Sequence, residues 1–317
     1  MSANGLTQAA KRKGFTVRTR RDMQRNWQLY LLVLPAIVAI FMFCYVPMYG
    51  VQIAFKDFRP IKGIWGSEWV GMTHFMRFFR SYQFVDLLRN TLLLSLYSII
   101  AGFPMPILLA LMLNQISAQR FKRILQTVTY MPHFISTVVM VGMLLVFLSP
   151  STGLFGHMMR ALGVAEPPNL MGEKELFRSI YVLSDIWQHT GWDSIIYLAA
   201  LSAVDLSLYE AATVDGANKL QRMWNIDIPC LLPTVIILLI LRAGNIMSVG
   251  FEKDFLMQND LNLPVSEIIS TYVYKLGLKQ AQYSFSAAVG LFNTVINFVL
   301  LIVVNSISRR VGETSLW

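Results

Sequence analysis

Glu210-Ala211-Ala212-Thr213-Val214-Asp215-Gly216-Ala217 is a short polar island set between two long apolar stretches of this 317-residue chain. Its chemistry is recognition rather than reaction. Ala211, Ala212 and Ala217 carry almost no side-chain bulk, so another protein's backbone can approach closely, and Glu210 offers a charge that a basic partner can pair. A second group consists of Asp185, Gln188, Asp193, Arg242, Asn245, Asn293 and Asn297, which interrupt apolar stretches. Polar groups at such depth are costly and tend to face a bundle interior or a wet cavity. Asn293 and Asn297 are four apart and share one helical face, where their amides can offer donors and acceptors; Trp187, Trp192 and Tyr197 offer flat faces for stacking. The alternative for each is hydrogen bonding between helices, or a salt bridge of Asp185 or Asp193 with Arg242.

The elements that position these residues follow from pattern. Leu206, Tyr209, Ala212 and Thr213 recur near helical spacing beside Asp205, which predicts a short amphipathic helix ending at about Val214. Gly216 suits the left-handed conformation that ends a helix, Asp215 suits the cap of a second helix from Ala217 onward, and Pro229 can begin the next helix with no donor to lose. With 55% hydrophobic and 14% charged residues, the chain has too few charges to clothe a soluble globule. A bilayer core needs roughly 20 apolar residues of helix, and six segments approach that length: 28–50, 91–113, 124–148, 179–201, 230–250 and 285–306. The fold class expected is all-α and polytopic, with both termini on one side.

Lys11, Arg12, Lys13, Arg18, Arg20, Arg21 and Arg25 cluster before the first span, and Arg120, Lys122, Arg123, Lys219, Arg222, Arg309 and Arg310 flank later ones, so these flanks are expected to be cytoplasmic. The first 26 residues lack an apolar signal core, and the first helix is expected to stay as an anchor. The net charge of +9 is explained by basic residues facing anionic lipid and requires no nucleic acid. Pro35, Pro47, Pro104, Pro106 and Pro132 lie in or at the ends of spans and are expected to kink them. Cys44 and Cys230 fall at opposite ends of their spans and are read as packing residues. His74, His133, His157 and His189 show no ligand spacing, so no metal site is expected. No Lys precedes Ser or Thr, which excludes a Walker A phosphate loop, and no His-Glu-x-x-His occurs.

The island, with Met223, Ile226 and Pro229 downstream of it, resembles the EAA loop of ATP-binding-cassette importer permeases of the binding-protein-dependent carbohydrate type, the maltose-transporter-like family. Met223 departs from the family's usual Phe. Tyr45-Val46-Pro47-Met48-Tyr49-Gly50, Ala54-Phe55-Lys56-Asp57, Trp69-Val70-Gly71, Asn90-Thr91, Tyr272-Val273-Tyr274, Gly277, Phe292-Asn293 and Ser315-Leu316-Trp317 resemble its LplB/YteP-like branch. The resemblance implies a basic cytoplasmic tail over 1–26, a permease domain over 27–310 with its coupling loop at 205–229, and a short tail over 311–317. It implies an ATPase-docking role for Glu210, Ala211, Ala212, Asp215, Gly216, Ala217, Met223, Ile226 and Pro229. It also implies a homologous second permease, two cytoplasmic ATPase subunits and an extracellular solute-binding lipoprotein, with no cofactor on this chain and ATP and Mg on the ATPase. The implied cargo is a complex oligosaccharide such as a pectin fragment. A proton-coupled sugar transporter, with Asp185 and Asp193 as relay, is the alternative.

Overall fold

The computed structural model describes residues 24–311, which fall into two compact units, one ending at Trp69 and the other beginning at Val70. The basic cluster from Lys11 to Arg21 and the terminal Ser315-Leu316-Trp317 lie outside the described residues. The first unit is a helix, α1 (Trp27–Phe55), followed by a two-residue antiparallel ladder of Lys56–Asp57 with Glu68–Trp69. The Arg59 amide donates to Ser67 Oγ at 3.1 Å, Lys56 Nζ donates to the Ile64 carbonyl at 2.8 Å, and Phe55 stacks on Trp69 at 5.7 Å. This ladder is the exception to the all-helical expectation among the described residues.

The second unit carries α2 (Gln83–Asn114), α3 (Gln119–Phe134), α4 (Thr137–Phe147), α5 (Lys174–Ser202), α6 (Leu206–Val214), α7 (Lys219–Gly244) and α8 (Tyr283–Arg310), with shorter helices between them. Four helices, α1, α2, α7 and α8, are long and apolar enough to cross a bilayer, and the count reaches six if the bent pairs α3–α4 and α5–α6 each serve as one span. The continuous third helix expected over 124–148 is therefore corrected to two helices meeting at 95°. The reason is local. Pro132 sits in a tight 3₁₀ turn (Met131–Phe134), and Ser136, in extended conformation, accepts from the Val139 amide at 3.3 Å and starts α4 afresh.

Prolines mark a second regularity. Stretches of π-helix occupy Phe41–Tyr45, Ser98–Gly102 and Met223–Asp227, ahead of Pro47, Pro104 and Pro229. A proline removes its own donor and crowds the carbonyl four residues earlier. Those carbonyls belong to Phe43, Ile100 and Asn225, each inside one of the widened turns, so at these three prolines the spans adapt by local π-winding while remaining continuous, whereas Pro35 and Pro233 lie inside regular α-helix.

Three apolar cores hold the second unit together. Phe78, Leu87, Met247, Ile269, Phe285 and Val289 form one, with Phe78, Phe84 and Phe292 meeting edge to face. Leu94, Val141, Phe177, Val182, Met257 and Ile268 form the second, and Ala110, Leu113, Tyr197, Leu201 and Leu231 the third. Helix α5 packs chiefly on α2, and α7 on α8. Helix α3 approaches α5 so closely at Gly191 that a Cβ there would collide with the Thr129 carbonyl, whereas Gly142 on α4 has open space around it. Small residues are what let membrane helices come this near. Gly191→Val is therefore expected to lower stability by about 1–3 kcal/mol, read as a reduced melting midpoint in detergent, with Gly142→Val as the tolerated control.

Candidate functional site

The loop between α5 and α7 is built as a helix, a glycine turn and a second helix. Asp205 opens α6 by accepting from the Ser207 amide at 2.9 Å, an interaction that holds its carboxyl below the usual range. Gly216 ends α6 at φ +74°, the left-handed region that glycine enters without side-chain cost. The Ala217 amide then bonds the Ala212 carbonyl at 2.9 Å and the Gly216 amide the Thr213 carbonyl at 3.1 Å, which closes a Schellman turn. The expected capping role of Asp215 is corrected: Asp215 is the C-terminal cap of α6, and Asn218 caps the next helix. Asn218 Oδ1 accepts from the Gln221 amide at 2.9 Å while Gln221 Oε1 accepts from the Asn218 amide at 2.7 Å, because that helix starts at Lys219 rather than Ala217.

Glu210, Ala211, Asp215 and Gly216 are exposed, and Ala212 and Ala217 are half-buried. Leu208 and Val214 are exposed beside them, so the turn presents an acid, small residues and apolar side chains together. Met223 and Ile226 turn partly inward, Met223 against the core of Ala110, Leu113 and Leu231, while Trp224 next to it is exposed. Pro229 stands at the start of the regular helix Ile228–Gly244.

What holds this loop is Asp227, which the sequence did not mark. It is wholly buried, and its carboxylate accepts from Tyr209 Oη on α6 at 2.5 Å, from Gln115 Nε2 just past α2 at 2.8 Å and from Asn114 Nδ2 at 3.4 Å. Lys219 Nζ adds a bond to the Gln115 carbonyl at 3.3 Å. The loop, α7 and the end of α2 are thus tied through one carboxylate. The only local hint was an acid inside an otherwise apolar run.

A cavity of about 840 Å³ lies between α2, α5 and α7. Asp185, Trp192, Asp193, Tyr197, Arg242 and Asn245 of the predicted polar set line it, joined by Ser95, Ser98 and Ser248. Arg242 Nη2 pairs with Asp193 Oδ2 at 3.2 Å. Asp185 Oδ1 meets the buried Lys253 Nζ at 3.3 Å and His189 Nδ1 at 3.3 Å. Four predicted residues stand elsewhere. Gln188 is buried and donates to the Ile135 carbonyl at 2.8 Å, across the α3–α4 break. Asn297 accepts from the Met247 amide at 2.9 Å and donates to Ser248 Oγ at 2.8 Å. Asn293 Oδ1 is buried without a partner, and Trp187 is exposed. His133, far from Trp192 in sequence, stacks on its ring at 4.4 Å.

The fifth expected span, 230–250, ends at Gly244, and residues 245–282 form an ordered hydrogen-bonded segment. Asn90 Nδ2 donates to the carbonyls of Pro264 (2.9 Å) and Glu267 (3.2 Å), the Ile269 amide donates to Thr91 Oγ1 at 3.0 Å, and buried Asn262 donates to the Met171 and Met257 carbonyls. Within it, burial lowers the Lys253 ammonium's pKa against the pull of Asp185. Asp254 is fully buried, and its carboxyl is pushed up to about 8 by burial, with Glu267 adding to the rise and Gln258 and Lys275 opposing it. Gln258 Nε2 donates to Asp254 Oδ2 at 2.9 Å, while Asp254 Oδ1 and Gln258 Oε1 have no partner.

A family model described as "Binding-protein-dependent transport system inner membrane component" matches residues 102–313. The chain is 44% identical to the polygalacturonan/rhamnogalacturonan transport system permease protein YteP of Bacillus subtilis, over 91% of this chain and 90% of that one. It is 42% identical to protein LplB of the same organism, over 93% and 92%. Among solved structures it is similar to a bacterial ABC transporter involved in the import of the acidic polysaccharide alginate, with a TM-score of 0.85, 42% identity and coverage of 93% and 99%. It is likewise similar to a bacterial alginate ABC transporter solved in complex with alginate pentasaccharide-bound periplasmic protein, with a TM-score of 0.84, 41% identity and coverage of 93% and 99%.

Two outcomes are expected. Asp227→Ala strands the Tyr209 hydroxyl and the Gln115 amide, costing about 1–3 kcal/mol; it should lower the melting midpoint and speed proteolysis at 203–218, with Asp227→Asn falling between. Asp254 has its native pKa raised above the unfolded value near 4, so its contribution is complete below about pH 4 and is lost as pH rises through about 8. Thermal stability should therefore decline over that window, and Asp254→Asn should flatten the decline.

Proposed function

Because the chain belongs to the family of binding-protein-dependent transport system inner membrane components, we propose that loop 205–229 is the cytoplasmic point at which a separate ATPase grips this permease. The observation that carries this reading is the exposed turn at Glu210–Ala217, presented outward yet anchored through Asp227 to both α7 and the end of α2. A pull on α6 then reaches two long helices rather than a slack loop. Arg120, Lys122 and Arg123 begin α3, and Lys219 bonds the Gln115 carbonyl, so basic residues gather at the end of the helices that carries the loop; this supports a cytoplasmic placement for it and for both termini.

The protein is a non-catalytic, multi-pass permease subunit of the cell membrane, and ATP is hydrolysed by another chain. In the reading offered here it pairs with a homologous permease over two ATPase subunits and receives cargo from an extracellular binding protein. ATPase closure draws on Glu210–Ala217, α5 and α7 rotate, and the cavity turns outward to accept the sugar. Reopening returns it to the cytoplasm. The names of the relatives, one serving polygalacturonan and rhamnogalacturonan and one alginate, support a complex oligosaccharide, such as a pectin or other plant-polysaccharide fragment, as cargo. Asp185, Asp193, Arg242, Asn245, Trp192 and Tyr197 are the residues that face it. A proton relay through Asp185 and Asp193 has less support, since each already has its own cation.

Purification in mild detergent should recover a second permease and an ATPase with this chain. Glu210→Lys should weaken that assembly by roughly 2–5 kcal/mol, as expected for loss of a desolvated charge partner, and Gly216→Pro should disrupt the turn and abolish sugar-coupled ATP hydrolysis. Normal assembly and import by both variants would remove the docking assignment.

A further inference from the structure

We propose that Arg242 is the carboxylate-reading residue of the cavity and that Asp193 is its built-in competitor, which makes the cargo a uronate-containing oligosaccharide. The inference rests on the permease reading above and concerns the class of sugar. The lining residues of the cavity include three charged side chains, Asp185, Asp193 and Arg242. Asp185 is answered from behind by the buried Lys253 and alongside by His189. Arg242 is therefore the cation that faces the cavity space.

Its state suits a transient contact. Only Nη2 of the guanidinium is engaged, by one Asp193 oxygen at 3.2 Å, and both side chains remain more than a third exposed. A guanidinium has five donors in a planar fork matched to a carboxylate, so a sugar carboxylate can bind the free edge without first expelling Asp193. Polar groups for the sugar hydroxyls stand in the same wall: Ser98 Oγ is buried without a partner, and Asn245 and Ser248 line the cavity with it. Trp192, 41% exposed and braced by His133, offers a face for the ring.

The balance of charges explains why a path for an acidic sugar contains acids. A lone arginine at this depth would hold a uronate too tightly to release it, while an unanswered carboxylate would repel it. Conduction needs a site strong enough to enter and weak enough to leave. Asp193 supplies the weakening: bonded to Nη2, it offsets part of the charge that the sugar carboxylate meets at the free edge. A polygalacturonate-type chain repeats its carboxylate on every residue and can pass such a site stepwise. The permease relatives serving polygalacturonan and the acidic polysaccharide alginate agree with that chemistry.

The test uses the complete transporter in proteoliposomes, with tetragalacturonate as probe and a neutral galactose tetrasaccharide beside it. Arg242→Gln is expected to reduce tetragalacturonate uptake about ten- to a hundredfold, the loss of a hydrogen-bonded charge contact. Asp193→Asn is expected to lower KM for tetragalacturonate several-fold while slowing turnover. The double variant Arg242→Gln/Asp193→Asn keeps a neutral hydrogen-bonding pair, so a purely structural role predicts recovery; the assignment predicts none. Recovery in the double variant, or normal uptake by Arg242→Gln, overturns it. Wild-type uptake of the neutral sugar alone overturns the acidic cargo but leaves the permease reading standing. Uptake of neither, with the ATPase assembled, also overturns the acidic cargo, whereas failure of the chain to assemble with any ATPase removes the reading on which it rests.

Discussion

The buried carboxylate of Asp227 is the interaction on which the loop depends. Burying an anion is costly unless its lone pairs are occupied, and here a phenol and two amides from separate elements occupy them. Because these donors sit on α6 and at the end of α2, the same carboxylate that must be satisfied also fixes where the turn stands. Gly216 and Asn218 shape the turn locally, but their bonds are internal to it and do not set its position relative to the spans. The cost of burying Asp227 is what ties the position to the fold.

The long helices carry the complementary constraint. In a bilayer every backbone group must find a partner inside the protein, yet this chain places prolines within its spans. The π-turns at Phe41–Tyr45, Ser98–Gly102 and Met223–Asp227 reconcile the two. The last of these contains Asp227 itself, so the widened turn before Pro229 also delivers the carboxylate to its buried position. Winding defects of this kind concentrate at functional sites, and one of these three forms the root of the candidate coupling element.

Charge in the cavity follows the same economy of pairing. Asp193 meets Arg242 across α5 and α7, and Asp185 meets Lys253 from the segment that follows α7. Each pair joins two elements, so the cavity's polarity and the packing around it arise together. The segment 245–282 closes over this region through Asn90, Thr91 and Asn262, residues whose amides and hydroxyl replace missing backbone partners.

Much of this was legible in the residues alone. Apolar block lengths give the four long apolar helices and the two bent pairs, though not the bends, and Glu210–Ala217 gives helix and turn, since Gly216 needs only its own backbone freedom to enter the left-handed region. The helix cap was misplaced from Asn218 to Asp215 because several short polar side chains in a row can each cap, and only the register of the following helix chooses. The proposed pathway residues divided for a similar reason: Asp193 and Asn297 both look polar in an apolar run, but Asp193 faces the cavity and Asn297 is consumed by the Met247 amide and Ser248. The sequence by itself determined the class of protein and the local shape of the turn at Glu210–Ala217, which depend on composition and on neighbours a few residues apart. Tertiary structure alone decided the Asp227 clamp and the partners of Asp185 and Arg242, whereas the break between α3 and α4 is local to Pro132 and Ser136. Hydrogen bonds and ion pairs between residues some 50 to 110 positions apart leave no periodic trace in a single chain, and they exist only once packing has brought the helices together.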